Sequence, residues 1–377
     1  MTIDIETLKF FSRQHGMSIL GITTPEIYQG KEIYMEWINA GFHGEMAYLA
    51  RESAIQKRLI PTLHLSGCKS ILVLGLPYPY SETSPHSKEP CMGQVAAYAW
   101  GQDYHDIFPN LLQEFIQHLQ DAIRNHFQYK IFTDSSPILE RSLGCQAGLG
   151  WIGKNSCLIH PQHGSTFFLG EIFTEYSLPT TPFSDQDLCG SCQCCMEACP
   201  TQCILPNRTL DARKCISYLT IENKSSIPRE LRSRVGNWVF GCDICQQVCP
   251  WNKRFADRPG SPALALYHKK NIFPLSDVFK LDNREFKVLF HLSPILRARR
   301  NGLLRNAAVV LGNQGSDDDL KVLNEVLQYE PVPMIREHAA WAIGQIGGPI
   351  ALDMLNRARQ SEMDPIVQSE IQLCLNS

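Results

Sequence analysis

The sequence predicts an α+β protein of three parts: a mixed α/β N-terminal region, a small cysteine-organised middle region and an α-helical repeat at the C-terminus. Three observations predict it. Short apolar runs alternate with helical spacing up to about residue 180, the cysteines crowd into residues 181–260, and a pattern marked by alanine and glycine occurs twice near the end. The 377 residues exceed what one compact core usually holds. With 44% hydrophobic and 19% charged residues the composition is that of an ordinary globular protein. A formal charge of −3 speaks against wholesale coating of nucleic acid but leaves room for local basic patches.

In the first region, 1–180, Ser18 to Ile22, Ile71 to Leu76, Tyr129 to Phe132 and Phe167 to Phe173 read as strands. Leu111, Leu112, Phe115, Leu119, Ile123 and Phe127 fall on one helical face. The Pro- and Ser-rich stretch from Tyr78 to Pro90 reads as a loop or lid. Strand order does not follow from these patterns. In the last region, 261–377, Arg305 to Gly315 matches Glu337 to Gly347 at two alanines and two glycines. A helix-pair repeat of that period stacks into a short, HEAT-like solenoid.

The middle region carries the chemistry. Cys189, Cys192, Cys195, Cys199 and Pro200 spell C-x2-C-x2-C-x3-C-P, the run by which bacterial ferredoxins hold cubane clusters. Cys242, Cys245, Cys249 and Pro250 repeat it one cysteine short. Three thiolates on one tight loop cap three irons of a cube, and the cysteine before the proline turns to the other cube. That exchange assigns Cys189, Cys192, Cys195 and Cys249 to one [4Fe–4S] cluster, and Cys199, Cys242 and Cys245 to a second. The fourth ligand of the second is Cys215 or Cys203; Cys194 lies between ligands. Two zinc knuckles are the competing assignment, disfavoured by the paired C-P endings. Cys68, Cys91, Cys145, Cys157 and Cys374 are scattered singly and suit packing.

Met1 to Glu6 has neither a basic stretch nor an apolar core of a secretory leader, and no run of about 18 apolar residues occurs. A cytoplasmic location without a membrane partner is expected, and in a reducing compartment clustered cysteines serve metals rather than disulfides.

Two clusters make a wire, so the N-terminal region is expected to hold the redox centre it feeds. No G-x-G-x-x-G follows a strand there, which leaves a dinucleotide site unsupported. Asp103-Tyr104-His105 is similar to the opening of the cobalamin pattern D-x-H-x-x-G. Phe108 stands where that pattern needs glycine, so His105 is not expected to ligate cobalt.

Almost end to end, the chain resembles the epoxyqueuosine reductase family. The resemblance is carried by Lys57-Arg58, Tyr98, Asp103 to His105, Phe132 to Ser135, Glu140-Arg141, Gly150 to Asn155, Phe168 to Glu171, both cysteine runs, Cys215 to Glu222 and Gly241 to Gln246. It implies an α/β, nitroreductase-like domain binding base-off cobalamin over 1–180, a ferredoxin-like domain with two [4Fe–4S] clusters over 181–260, and HEAT-like repeats over 261–377. It implies Cys215 as the eighth cluster ligand. Arg58, Tyr98, Asp134, Asn155, Leu158, Ser217 and Gly241 resemble cofactor-contacting positions. The implied reaction reduces the epoxide of epoxyqueuosine at the tRNA wobble position to the alkene of queuosine, with cob(I)alamin as nucleophile and Asp134 as proton donor. A donor acid must keep its proton near neutrality, well above the ordinary Asp value of about 3.9. By sequence alone Asp134 better suits a cap on a helix opening at Ser136-Pro137, and Arg58 a solvated surface position; the resemblance reverses the first of these.

For tRNA, residues 205–235 hold seven basic side chains (Arg208, Arg213, Lys214, Lys224, Arg229, Arg232, Arg234) against three acids, and Arg297, Arg299, Arg300 and Arg305 form a second run. Lys224, Arg297, Arg299 and Arg300 are the candidates for phosphate contact. A low-potential donor of flavodoxin or ferredoxin type and a monomeric state are expected. The alternatives are an iron–sulfur electron-transfer protein and a reductive dehalogenase-like cobalamin enzyme.

Overall fold

The computed structural model describes residues 3–27, 29–80, 91–183, 186–255, 260–264 and 272–376. The Tyr78–Pro90 loop falls largely outside them, at 81–90. The chain forms two compact units, each assembled from three segments. The first comprises Met1–Thr83, Gly101–Arg213 and Asp243–His268; the second comprises Ser84–Trp100, Lys214–Cys242 and Lys269–Ser377. No helix among the described residues is long and apolar enough to cross a membrane.

The first unit is built on an antiparallel sheet of β1 (Ile19–Thr23), β2 (Ser70–Pro77), β4 (Tyr129–Phe132) and β7 (Phe167–Thr174), in the order β1-β2-β7-β4. The four apolar runs of the sequence are these four strands, displaced by a residue or less. β1, β2 and β7 read as nearly continuous apolar runs because both faces are covered, whereas β4, at the sheet edge, leaves Lys130 exposed. A Cβ on Gly170 would strike Phe108 and Leu112 of the helix Tyr104–Ile123, whereas one on Gly21 would strike Ala147 and Leu149, just past the helix Glu140–Gln146. Val73, Glu171 and Phe132 are cross-strand partners on that second face.

The long helix starts at Tyr104, well before the apolar spacing that opens at Leu111. Asp103 caps it, its carboxylate accepting the His105 N–H at 3.0 Å, and Arg124, left-handed at φ 51°, ends it before Phe127. A small hairpin, β5 (Trp151–Ile152) with β6 (Leu158–Ile159), completes the unit beside the cysteine loops.

The second unit holds β3 (Met92–Val95) between β8 (Trp238–Phe240), parallel to it, and β9 (Ile272–Pro274), antiparallel. These short strands carry no sequence signal strong enough to announce them. Among the described residues two short α-helices, Leu275–Val278 and Asn283–Leu289, follow, and then the five of the repeat region: Arg299–Gln314, Leu320–Tyr329, Pro333–Ile346, Gly348–Ser361 and Pro365–Leu375. The repeat is real and its glycines explain it. A Cβ on Gly312 would lie 2.6 Å from Trp341, and one on Gly344, the matching position of the second copy, 2.7 Å from the Cys374 Cβ. Each glycine lets a later helix approach closely.

Candidate active site and cluster-binding site

In the first unit the thiols of Cys189, Cys192, Cys195 and Cys249 line one cavity of about 160 Å³, with Lys154, Asn155 and Trp251 on its wall. The loop Cys189–Cys192 is held from outside. Lys154 Nζ donates to the carbonyls of Gly190 and Cys192 at 2.8 Å each, and Trp251 Nε1 donates to the Leu188 carbonyl at 3.2 Å. Trp151 Nε1 donates to Cys189 Sγ at 3.4 Å and packs edge-on against Trp251. Cys249 enters from the second run as the cap of the helix Pro250–Lys253. Burial and the neighbouring thiols push Cys195 up to about 11. Thiols around a cavity, with Cys195 and Cys249 held in their protonated form by burial and by their neighbours, are a donor set that a cationic cluster satisfies. No three His, Cys, Asp or Glu side chains among the described residues converge to hold a single ion. The four thiols spread around a cavity instead, which is the arrangement a cube needs. Cys194 is exposed at the rim.

Of the other cysteines expected as cluster ligands, Cys199 and Cys245 belong to the first unit and Cys215 and Cys242 to the second. Cys203 Sγ lies 3.5 Å from Cys199 Sγ, and its hydrogen bond holds the Cys199 thiol down to about 5. Cys203 thus sits beside Cys199. Cys215 caps the helix Ile216–Ile221.

Asp134 follows β4 in the left-handed region, φ 53°, which Asp tolerates better than most residues. Its N–H donates to Glu140 Oε1 at 2.7 Å. Its carboxylate accepts the Tyr104 hydroxyl at 2.7 Å and lies 3.3 Å from His105 Nε2, while the side chain keeps 58% exposure. No helix opens at Ser136-Pro137; the next begins at Glu140. The helix-cap role for Asp134 is thereby excluded: the backbone bonds Glu140, and the carboxylate points to the first turn of the helix Tyr104–Ile123, far earlier in the chain.

Around it stand groups whose roles the sequence did not suggest. His105 Nδ1 is 2.7 Å from Asp103 Oδ1, its ring stacks on Tyr104, and Tyr104 stacks on Phe168. Hydrogen bonds to Asp103 and then Asp134 hold the imidazole up at about 9. Burial, and next the Asp134 charge, push Glu140 up to about 8. Glu171 is fully buried on β7, neither oxygen finding a hydrogen-bond partner among the described residues, and burial pushes it far up. The only hint in the sequence was a lone acid inside the apolar strand Phe167–Thr174.

Arg58 is buried, 5.7 Å from the Tyr34 ring, and its charge reaches Glu140 as Asp134 does. The solvated alternative for Arg58 is thereby overturned. Arg141 donates to the Ser156 carbonyl and so ties the loop carrying Asn155 and Leu158 to the same helix. Asn155 Oδ1 accepts from the Cys157 N–H, and Leu158 packs in the core. The Thr133 hydroxyl is buried without a hydrogen-bond partner among the described residues. A buried cation, an orphan hydroxyl and an exposed carboxylate fit a large polar cofactor. In the second unit Tyr98, Ser217 and Gly241 also gather. Gly241 has φ 69°, a Cβ there would lie 2.5 Å from Ala96 and 3.5 Å from Tyr98, and its N–H donates to Thr220 on the helix carrying Ser217.

The basic runs divide. Arg305 is fully buried, bonding the carbonyls of Leu219, Asn223 and Ser225. Arg232 is buried between Glu337 and Glu370. Neither faces solvent, because each closes the packing between the 216–240 segment and the repeats. Arg300 pairs with Glu330 at 2.7 Å and Arg297 with Glu222 at 2.8 Å. Lys224 donates to the Arg297 carbonyl at 2.8 Å, and burial holds it down at about 8. Arg299 is exposed.

Comparison with known proteins completes the picture. Residues 188–252 match the 4Fe-4S double cluster binding domain, 58–135 the model described as epoxyqueuosine reductase QueG, DUF1730, and 291–376 HEAT repeats. The chain is 38% identical over 344 residues to the epoxyqueuosine reductase of Xanthomonas campestris pv. campestris, covering 90% of this chain and 95% of that one. It belongs to the epoxyqueuosine reductase family. The Escherichia coli K12 epoxyqueuosine reductase is 36% identical, covering 90% and 89%. Among solved structures, an epoxyqueuosine reductase with a tRNA-Tyr epoxyqueuosine-modified stem loop superposes with a TM-score of 0.89 at 30% identity, covering 98% and 97%. The Streptococcus thermophilus epoxyqueuosine reductase gives 0.87 at 26%, covering 99% of each chain.

Proposed function

We propose that this chain reduces epoxyqueuosine to queuosine at the wobble position of tRNA, the last step of queuosine formation. The observation that carries the assignment is the match to epoxyqueuosine reductases over nine-tenths of the chain. In this reading the first region is a nitroreductase-like cobalamin domain, in a protein that acts in the cytoplasm as a monomer. Cys189, Cys192, Cys195 and Cys249 hold one [4Fe–4S] cluster and Cys199, Cys215, Cys242 and Cys245 the other. A flavodoxin- or ferredoxin-type donor supplies their electrons. Arg58, Tyr98, Asn155, Leu158, Ser217 and Gly241 hold base-off cobalamin. When bound, that group supplies a cobalt centre of low potential to the epoxide.

The chain's own chemistry is proton delivery. Losing an epoxide oxygen as an alkoxide is far harder than losing it as a hydroxyl, and Asp134, exposed and gripped from behind by Tyr104 and His105, is the acid placed to protonate it. Phosphates meet Lys224, Arg297, Arg299 and Arg300, with affinity falling as salt rises. A wobble base flipped from its stack delivers the epoxide to the acid.

The test is oxygen-free protein with cobalamin, a low-potential donor and tRNA carrying epoxyqueuosine, read by nucleoside analysis. Queuosine forms with the parent protein, and Asp134→Asn slows it by about 100-fold or more. No queuosine from protein with full iron and corrin content refutes the assignment.

A further inference from the structure

The reduction consumes more protons than Asp134 can store. An epoxide plus two electrons and two protons gives an alkene and water: two C–O bonds break, one π bond forms, and the oxygen leaves carrying both protons. The electrons come from the reductant that the activity already requires. One carboxylic acid holds one proton, so the site needs a second source between the two C–O cleavages.

His105 is bound to provide it. Its two ring nitrogens are taken by two different carboxylates: Nδ1 lies 2.7 Å from Asp103 Oδ1, and Nε2 lies 3.3 Å from Asp134 Oδ2. Once Asp134 has given up its proton, a ring so placed is doubly protonated, because each nitrogen faces a carboxylate acceptor. The side chain keeps 37% exposure and Asp103 25%, so the far side of the relay touches water. Tyr104 stacks beneath the imidazole and also donates to Asp134, holding Asp134 against the helix turn that carries His105. The charged groups facing the pair are few. Asp103 and Asp134 face the ring. Glu140 lies behind the Asp134 backbone with Arg58 and Arg141 acting on it, and Glu171 lies beneath.

We propose that His105 is a proton-relay residue that reloads Asp134 from solvent within each turnover. After Asp134 gives its proton to the oxygen, Nε2–H passes to Asp134 Oδ2. The ring becomes neutral with Nδ1–H still on Asp103, and water restores the lost proton. The carboxylate–imidazole–carboxylate order resembles the orienting pair of a hydrolase triad run in the acid direction. Because His105 bonds Asp103 and Asp134, the ring stays protonated near neutrality, up to about 9.

The inference rests on Asp134 as the proton donor, and the experiment separates the two. Turnover is measured from pH 6 to 10 for the parent, His105→Gln, Asp103→Asn and Asp134→Asn, each with its iron content and tRNA affinity. The His105 ring is titrated separately by NMR in histidine-labelled protein. Expected are a parent rate that falls as pH rises through about 9, a loss of about tenfold or more in His105→Gln with unchanged tRNA affinity, and partial rescue by imidazole in the buffer. In Asp103→Asn both the alkaline fall in rate and the NMR titration move to lower pH, so the relay stays testable if His105→Gln does not fold. The relay is overturned if His105→Gln keeps the parent rate, or is slowed equally at every pH without imidazole rescue. It is also overturned if Asp103→Asn leaves the alkaline limb in place. An Asp134→Asn protein with full activity refutes the donor assignment instead, whatever His105 does.

Discussion

Single side chains around Asp134 set pH dependences of the same sign in different windows. The folded-state value of His105 is raised from 6.5 to about 9. Its pairing therefore contributes stability in full below about pH 6.5 and loses it as pH climbs through about 9. Denaturation of the parent against His105→Gln should show a gap that closes above pH 9. Glu140 is raised from 4.5 to about 8 by burial, so its protonated form favours the fold at low pH and that benefit disappears between pH 4.5 and 8. Glu140→Gln keeps an oxygen to accept the Asp134 N–H, and should match the parent in acid and be the more stable of the two at pH 8 and above. At this scale the sequence was partly legible. Asp103 and His105 were visible as a motif fragment and set aside because Phe108 replaced a glycine. Their use depends on Asp134, on a separate loop well beyond them in the chain, a partnership that no local spacing reveals. The strand and helix patterns around them say nothing about Glu140 and the fully buried Glu171 behind the site.

Among the elements, the repeats make the sharpest prediction. Ala normally favours a helix over Gly by about 1 kcal/mol, yet Gly344→Ala should destabilise by about 1–3 kcal/mol because its Cβ would meet Cys374 at 2.7 Å. Urea denaturation decides the sign. Glu370 shares the buried Arg232 with Glu337, at 3.1 Å. Removing it by Glu370→Ala leaves that cation half-paired and should cost about 3–5 kcal/mol by the same measurement. The repeat was legible because small residues recur wherever helices touch. The fate of the arginines was not. Arg232 and Arg305 sit in basic runs that look like phosphate-facing surface, but their partners are carbonyls and acids brought in from elsewhere in the same unit. Charge runs record composition, whereas burial is decided by the fold.

For the molecule as a whole, cluster content is the measurable quantity. Two cubes amount to roughly eight irons per chain, and Cys249→Ser, which removes one thiol from the lined cavity, should lower the count toward roughly four by iron and sulfide analysis. The cysteine spacing carried this much unaided. Seven of the proposed ligands come from an exchange rule and Cys215 from the family resemblance, whereas the proposed corrin contacts lean on backbone and on isolated positions such as Gly241 that spacing cannot single out.

The first unit is stitched from three stretches, the last beginning at Asp243. During synthesis, Cys249 emerges from the exit tunnel long after Cys189, so the earlier thiols wait in a pocket lacking a wall. The proposed cluster site is thus complete only once Cys249 has emerged. A ribosome stalled before that stretch would release a protein with strands but no complete iron cradle, a natural substrate for quality control.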